Sequence, residues 1–299
     1  MQRISKKVTI PPSVMKAMAG LGKAIAAPQP TSCFTEAAEL PKRIETEELA
    51  AFTAESQSPE GVTAILPIAD PRRIKMARAA VESFMGQTYQ NRQLLIANAA
   101  GSPIITREHY LIRELKLPGE GLSIGKLRNL ALAEANTEWV IQWDDDDWSH
   151  PDRIAYQMAH RKPGCCCMLR RQIRCHIRHS IAFIHENSWG IARTLLFPRG
   201  DQRYPEKNIQ EDLEFWSKNW GDNRVVVGGE PTRFPGAGLH VAFWHGLNAM
   251  SEDYHLEGRS PENHAKKWEV TEQQQDYMFR ILGKWYGTFF SIRKTDEPS

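Results

Sequence analysis

Four aspartates stand in a row at Asp144, Asp145, Asp146 and Asp147. Adjacent ionised carboxylates repel one another and raise each other's pKa, so a folded chain keeps such a run only where something compensates it. A divalent cation is the simplest compensation. Ligation by oxygen alone points to Mg2+ or Mn2+, with Ca2+ behind them. The plainer alternatives are a solvated acidic turn, or caps for a helix beginning near Pro151. A second acidic pair, Glu211-Asp212, opens the helical-looking stretch Leu213-Glu-Phe-Trp216. Acids in a first helical turn are common for dipole reasons alone.

The elements that must position these acids follow from periodicity. Residues 62–67 form a short apolar run ending at Pro67, as a buried strand does. Ile74, Ala77, Ala80, Val81 and Phe84 recur at helical spacing, and Gly86-Gln87 closes that helix. Residues 94–97 predict a second strand, 127–135 a helix, and 139–143 a third buried strand. Strands alternating with helices give an α/β unit with a mainly parallel sheet and right-handed crossovers. Ligands in such sheets sit at the carboxyl ends of the strands. The aspartate run lies at the carboxyl end of the third strand, and that position favours the metal over a solvated turn.

The chain has 299 residues, enough for one large domain or two small ones and for a sizeable core. Lys plus Arg number 38 and Asp plus Glu 36, for a net charge of +2, which excludes a wholesale polyanion binder. No apolar run of membrane-spanning length and no secretory leader pattern occurs, so a cytoplasmic protein is expected. Five cysteines, three of them consecutive at Cys165 to Cys167, make a poor disulfide framework and fit a reducing compartment. Cys165, Cys167, Cys175 and His176 fit no standard zinc spacing; buried small apolar residues are the plainer reading.

The near-neutral total hides separate blocks. Up to Thr35 there is no acid, while Arg3, Lys6, Lys7, Lys16 and Lys23 are basic; acids dominate from Glu36 to Glu60. Residues 1–58 are expected to be a partly ordered extension packed on the surface, or a basic arm for a membrane surface or a partner. Residues 161–180 carry six basic side chains and no acid, and strand alternation would send Arg170, Gln172 and Arg174 to one face. That face would be a solvated surface paired with nearby acids, or would meet an anionic acceptor. Tyr277, Met278, Ile281, Leu282 and Trp285 predict a C-terminal helix docking back on the main domain.

The segment WVIQWDDDDWSHPDRI, residues 139–154, resembles the Asp-x-Asp region of family 2 glycosyltransferases with the GT-A fold. Other segments fall in that family's order. Residues 62–67 resemble its first strand. Ser83 with Gln87-Thr88-Tyr89 and Asn91 resembles its "S...QTY.N" helix end, and Leu122 to Asn129 its "G.s.arN" segment. Glu211-Asp212 resembles its "ED" pair, and His245-Gly-Leu-Asn248 a late "H..N.S" segment. The likeness covers about residues 60–250.

The resemblance implies a GT-A, Rossmann-like mixed sheet flanked by helices, with the N-terminal extension before it and a helical tail at 251–299. Residues 59–250 would be the catalytic domain, 59–151 its nucleotide-sugar half and 152–250 its acceptor half. It implies an inverting, metal-dependent transfer of sugar from a nucleoside diphosphate sugar, a UDP-sugar first, to an acceptor hydroxyl. Mn2+ or Mg2+ would be held by Asp146 and Asp144, with Asp144 and Asp145 toward the ribose. Arg128, Lys126 and His245 would face the nucleotide or diphosphate, beside Pro67. For Arg128 a surface salt bridge, and for His245 a hydrogen-bonded core role, are the alternatives. Asn129 would fix an adjacent loop. Asp212 would be the general base, with Glu211 orienting the acceptor or itself the base. The family's Asp pair after the second strand is replaced by Asn98-Ala99, so Asn98, or Asp70 from one loop earlier, would read the base. Glycan, lipid-linked, protein and nucleic-acid acceptors all stay open. Two rival readings are a nucleotidyltransferase, which would carry a Gly-rich loop where Ile68 to Arg73 has no glycine, and a non-catalytic nucleotide-binding scaffold.

Overall fold

The computed structural model describes residues 60–119, 121–176, 181–228, 239–248 and 265–269; at 176, 181–183 and 265–269 only the backbone is described. The expected N-terminal extension and the helix around 277–285 lie outside these residues. No helix among the described residues is long and apolar enough to cross a membrane.

The sheet grows from β1 (Val62–Ile68), whose seven residues are all buried. It pairs in parallel with β2 (Arg92–Asn98) on one side and with β4 (Trp139–Gln142) on the other. β3 (Ile112–Lys116), a half-buried edge strand without a clear sequence signal, extends it beyond β2. Beyond β4 lie β9 (Leu196–Pro198), then β6 (Cys166–Leu169) and β10 (Arg224–Val227). β9 is antiparallel to both β4 and β6, so the sheet is mixed but mainly parallel, as expected.

Strand alternation sends successive side chains to opposite faces, and each face has its own core. On one side Ala64, Leu66, Leu94, Ile96 and Ile141 meet Met76, Ala80 and Phe84 of α1 (Ile74–Met85) and Ile154 and Met158 of α3 (Arg153–His160). On the other, Ile65, Leu95 and Val140 meet Leu127 and Ala131 of α2 (Ile124–Glu134) and Phe215 and Trp216 of α4 (Glu211–Asn219). Cys167 and Cys175 belong to the first core and Cys166 to the second, which is the buried-residue reading of the cysteines. Burial pushes the Cys166 and Cys167 thiols up to about 12.

A second sheet was not anticipated. Its order is β12 (Ala265–Glu269), β8 (Ile181–Asn187), β7 (Arg171–His176), β11 (His240–Trp244) and β5 (Asp147–Ser149). Ile173, Val241 and Phe243 seat this sheet against the first core. The basic strand is therefore not a solvated face: Gln172 and Arg174 are buried. Arg170 and Arg171 both bind Glu186 of β8, each at 2.9 Å. β12 falls within the stretch expected to be a helical tail.

Candidate active site

Strands β1, β2 and β4 run the same way, so Asp70, Asn98 and Asp144 lie together at or just past their carboxyl ends. The aspartate run is pinned from behind. Trp143 is buried, and its Nε1 donates to the Ala80 carbonyl at 2.9 Å. The end of α1 holds the segment that follows: Ser83 Oγ donates to the Ser149 carbonyl at 2.9 Å, and Gln87 Nε2 donates to the His150 carbonyl at 2.7 Å. Gln87 Oε1 also accepts from the Ile154 N–H at 3.1 Å. The serine and QT positions thus staple the loop that carries the acids. Beneath it, buried Arg153 donates to Ser149 Oγ at 2.8 Å and to the Gln142 carbonyl at 3.1 Å, and lies over the Trp143 ring. Burial lowers its pKa to about 10.

The aspartates divide among several partners. Asp144 accepts from Arg128 Nη2 at 2.6 Å, and the same guanidinium binds Glu211 at 2.8 Å through Nη1. Arg73 Nη2 contacts both Asp145 and Asp146, the latter at 2.6 Å. Asp146 also lies 3.1 Å from His245 Nε2 and accepts from Asn248 Nδ2 at 3.2 Å. The Leu247 N–H donates to His245 Nδ1, so Nε2 is the ring nitrogen that carries a proton toward Asp146. Asp147 has Arg193 at 3.5 Å and His240 Nε2 at 3.1 Å, yet neither of its buried oxygens receives a hydrogen bond.

Arginines therefore supply much of the compensation that the sequence reading assigned to a metal. They do not supply all of it. Burial raises Asp144 and Asp145, and pushes Asp147 up to about 6, so a proton competes for Asp147 below that pH. Asp146 is held low despite its burial, by Arg73 and His245. Burial, with Arg153 and Arg193 nearby, lowers His240 well below its ordinary value, so that ring is neutral. Oxygens of Asp144, Asp146 and Asp147 lie within 4.8 Å of one another, a spacing that a divalent cation could bridge.

Arg128 is buried, not a surface ion-pair residue, and it ties the two acidic groups together. Its placement depends on α2. Ser123 caps that helix by accepting from the Lys126 N–H. Asn129 clamps the backbone of Tyr204 from both sides, donating to its carbonyl at 2.9 Å and accepting its N–H at 2.7 Å, which is the loop-fixing role expected of it. Gly125 lets the loop approach: a Cβ there would stand 1.9 Å from the Pro205 carbonyl oxygen. The obstacle is backbone and cannot swing aside. Gly125→Ala is expected to cost about 3 kcal/mol in denaturant unfolding; a variant as stable as the parent would mean that α2 and this loop are not so close in solution.

The other expected residues divide. Glu211 is buried on Arg128, whereas Asp212 is half-buried and accepts from the Leu213 N–H at 2.7 Å. Gln210 before them has a φ of 60°, a left-handed conformation unusual for a residue with a side chain. Lys126 reaches Glu206 at 2.7 Å, and neither side chain is buried. Pro67 is buried within β1. Asn98 is turned onto its own loop: its Nδ2 donates to the Ser102 carbonyl and to Glu114, and its Oδ1 accepts from the Ala100 N–H at 2.8 Å. Asp70 caps the short turn Pro71–Arg73 and pairs with Arg72 at 2.6 Å. Arg73, Arg193 and His240 were not singled out by the sequence reading. Counting charge shows that three buried aspartates and a half-buried one need cations, but only the fold picks out Arg73 and Arg193.

No family model matches the chain, and no curated protein matches it. Among solved structures it is similar to S. aureus TarS residues 1–349, with a TM-score of 0.46 and 14% identity over 61% of this chain and 60% of that one. The same TarS segment in complex with UDP-GlcNAc gives 0.46 and 12%, covering 67% of this chain and 61% of that one. The mannosyltransferase PcManGT from Pyrobaculum calidifontis, in complex with GDP-Man and Mn2+, gives 0.45 and 12%, covering 79% and 75%. The chain thus spans about three fifths of the TarS segment it matches.

Proposed function

We propose that this protein is an inverting, divalent-metal-dependent glycosyltransferase of the family 2 type, with 59–151 as its donor half and 152–250 as its acceptor half. The observation that carries the reading is Arg128, one buried guanidinium joining Asp144 of the aspartate run to Glu211 of the second acidic pair. It makes a single site from two acids 67 positions apart, at the carboxyl ends of the strands where α/β folds bind ligands.

A divalent metal fits the acids. Asp144 and Asp146 are the ligands of choice, and Asp147 joins them, since both its oxygens are buried without a hydrogen bond. Mn2+ or Mg2+ held there would supply positive charge to the leaving diphosphate. Arg193, with no hydrogen bond among the described residues and only a 3.5 Å approach to Asp147, is the side chain best placed to add to that charge. His245 and Asn248 hold Asp146 in orientation. Glu211 is committed to Arg128, which leaves Asp212 as the base: it takes the acceptor's hydroxyl proton as that oxygen bonds the anomeric carbon. The bond from that carbon to the diphosphate breaks, and the configuration inverts.

The loop at 68–73 contains no glycine, is capped by Asp70 and sends Arg73 into the acids, an arrangement that does not suit a phosphate-wrapping loop of a nucleotidyltransferase. A non-catalytic scaffold draws on the same Arg73 contacts. Asn98 and Asp70 are engaged locally, so uridine and guanosine donors both belong in the test. A thermal-shift panel of nucleotide sugars with and without Mn2+ is expected to show one donor stabilising the protein only with metal, by about 2.7 kcal/mol at a hundred times its Kd. No shift with any donor would refute the reading; a shift without transfer to any acceptor would favour the scaffold.

A further inference from the structure

Arg73 contacts Asp146, one of the ligands of the proposed metal. It sits at the end of the turn Pro71–Arg73, and its Nη2 is shared between Asp145 and Asp146. The guanidinium is used lopsidedly: its Nε is buried with no hydrogen bond, so the fork is not matched to one carboxylate. The backbone of the turn is fixed independently, by the Asp70 carbonyl accepting from the Arg73 N–H at 3.0 Å and the Asp70 side chain accepting from the Arg72 N–H at 2.9 Å. The side chain can therefore leave without unfolding the turn. Asp146 would stay oriented after that departure, because His245 and Asn248 hold the same Oδ2.

We propose that Arg73 is a resident counter-cation of the Asp145–Asp146 pair, and that a divalent cation enters this site by displacing its guanidinium. This rests on the metal reading above and adds an exchange to it. Two cations at contact distance from the one Asp146 carboxylate would repel each other. Metal binding then costs the loss of the Arg73 contacts, and the freed guanidinium becomes available to the phosphates of a donor. Arg73 is a positioning residue in this scheme and sets the strength of metal binding.

The test is the affinity of the full chain for Mn2+ alone, read from the free Mn2+ paramagnetic resonance signal. Arg73→Met is expected to bind Mn2+ about tenfold tighter or more than the parent, the scale on which close charge pairs couple. Arg73→Lys should fall between them, and Arg72→Met, on the exposed neighbour, should match the parent. An Arg73→Met affinity equal to or weaker than the parent's overturns the exchange. Should Arg73→Met fail to fold, the parent answers alone: Mn2+ is expected to raise phenylglyoxal labelling of Arg73, mapped by peptide mass spectrometry, and unchanged or reduced labelling overturns the proposal. If Mn2+ binds neither parent nor variant, even beside a nucleoside diphosphate, the metal reading falls as well. If Mn2+ binds both equally, only the exchange falls.

Discussion

Asp212→Asn is expected to lower sugar transfer by about 10²–10⁴-fold, the usual contribution of a positioned base, while leaving donor binding unchanged. Asparagine keeps the side-chain oxygen that accepts from the Leu213 N–H, so the first turn of α4 should survive the change. It cannot take a proton from an acceptor hydroxyl. The loss should thus fall on kcat, with donor Kd and melting temperature at parental values. Glu211→Gln should behave differently, because Glu211 is the buried partner of Arg128. That variant is expected to lose stability together with activity. Parental transfer by Asp212→Asn would remove Asp212 as the base, and full stability in Glu211→Gln would contradict the buried pairing.

Arg128→Leu should be the most destabilising of the site substitutions, at about 3–5 kcal/mol, since it leaves buried Glu211 and half-buried Asp144 without their shared partner. For a domain of this size that lowers the melting temperature by roughly 10 °C or more. The pH dependence has a definite sign. Burial raises both Asp144 and Glu211, and Arg128 opposes that rise by favouring their ionised forms. Its contribution is present where those carboxylates are ionised and is lost as pH falls through their titration. The gap between variant and parent should therefore narrow on acidification, as protonation relieves the unpaired acids. Arg128→Lys keeps a charge but not the fork that spans Asp144 and Glu211, and should lie between them. An Arg128→Leu protein melting with the parent at neutral pH would show that the two acidic groups are not joined through this residue.

The parallel core was legible because its strands are short apolar runs punctuated by Pro67, Gly86 and the Gly101 turn, and both faces of the sheet are covered. The aspartate run was legible for the same reason: it follows a strand that had to be buried. β3 was not, since Ile112–Lys116 alternates weakly at a half-exposed edge. The second sheet was hidden by β7, whose arginines and glutamine look like a surface strand until Glu186 arrives from β8 to pair with them. Asn98 was expected to face a base, but an asparagine at a strand end readily bonds its own loop, and here it does. Arg73 carries no motif; its partner Asp145 lies 72 residues away, a relation that only the fold supplies.

Whether the aspartate run holds a metal and a diphosphate is tested by calorimetric titration of a nucleoside diphosphate, UDP and GDP in turn, into parent and Asp146→Ala protein, each with and without Mn2+. The expected result is binding to the parent that Mn2+ strengthens, and loss of that metal-dependent part in Asp146→Ala with the fold intact. Binding to the parent that ignores Mn2+, or a metal effect that survives Asp146→Ala unchanged, would contradict the assignment of the aspartate run as the metal–diphosphate site.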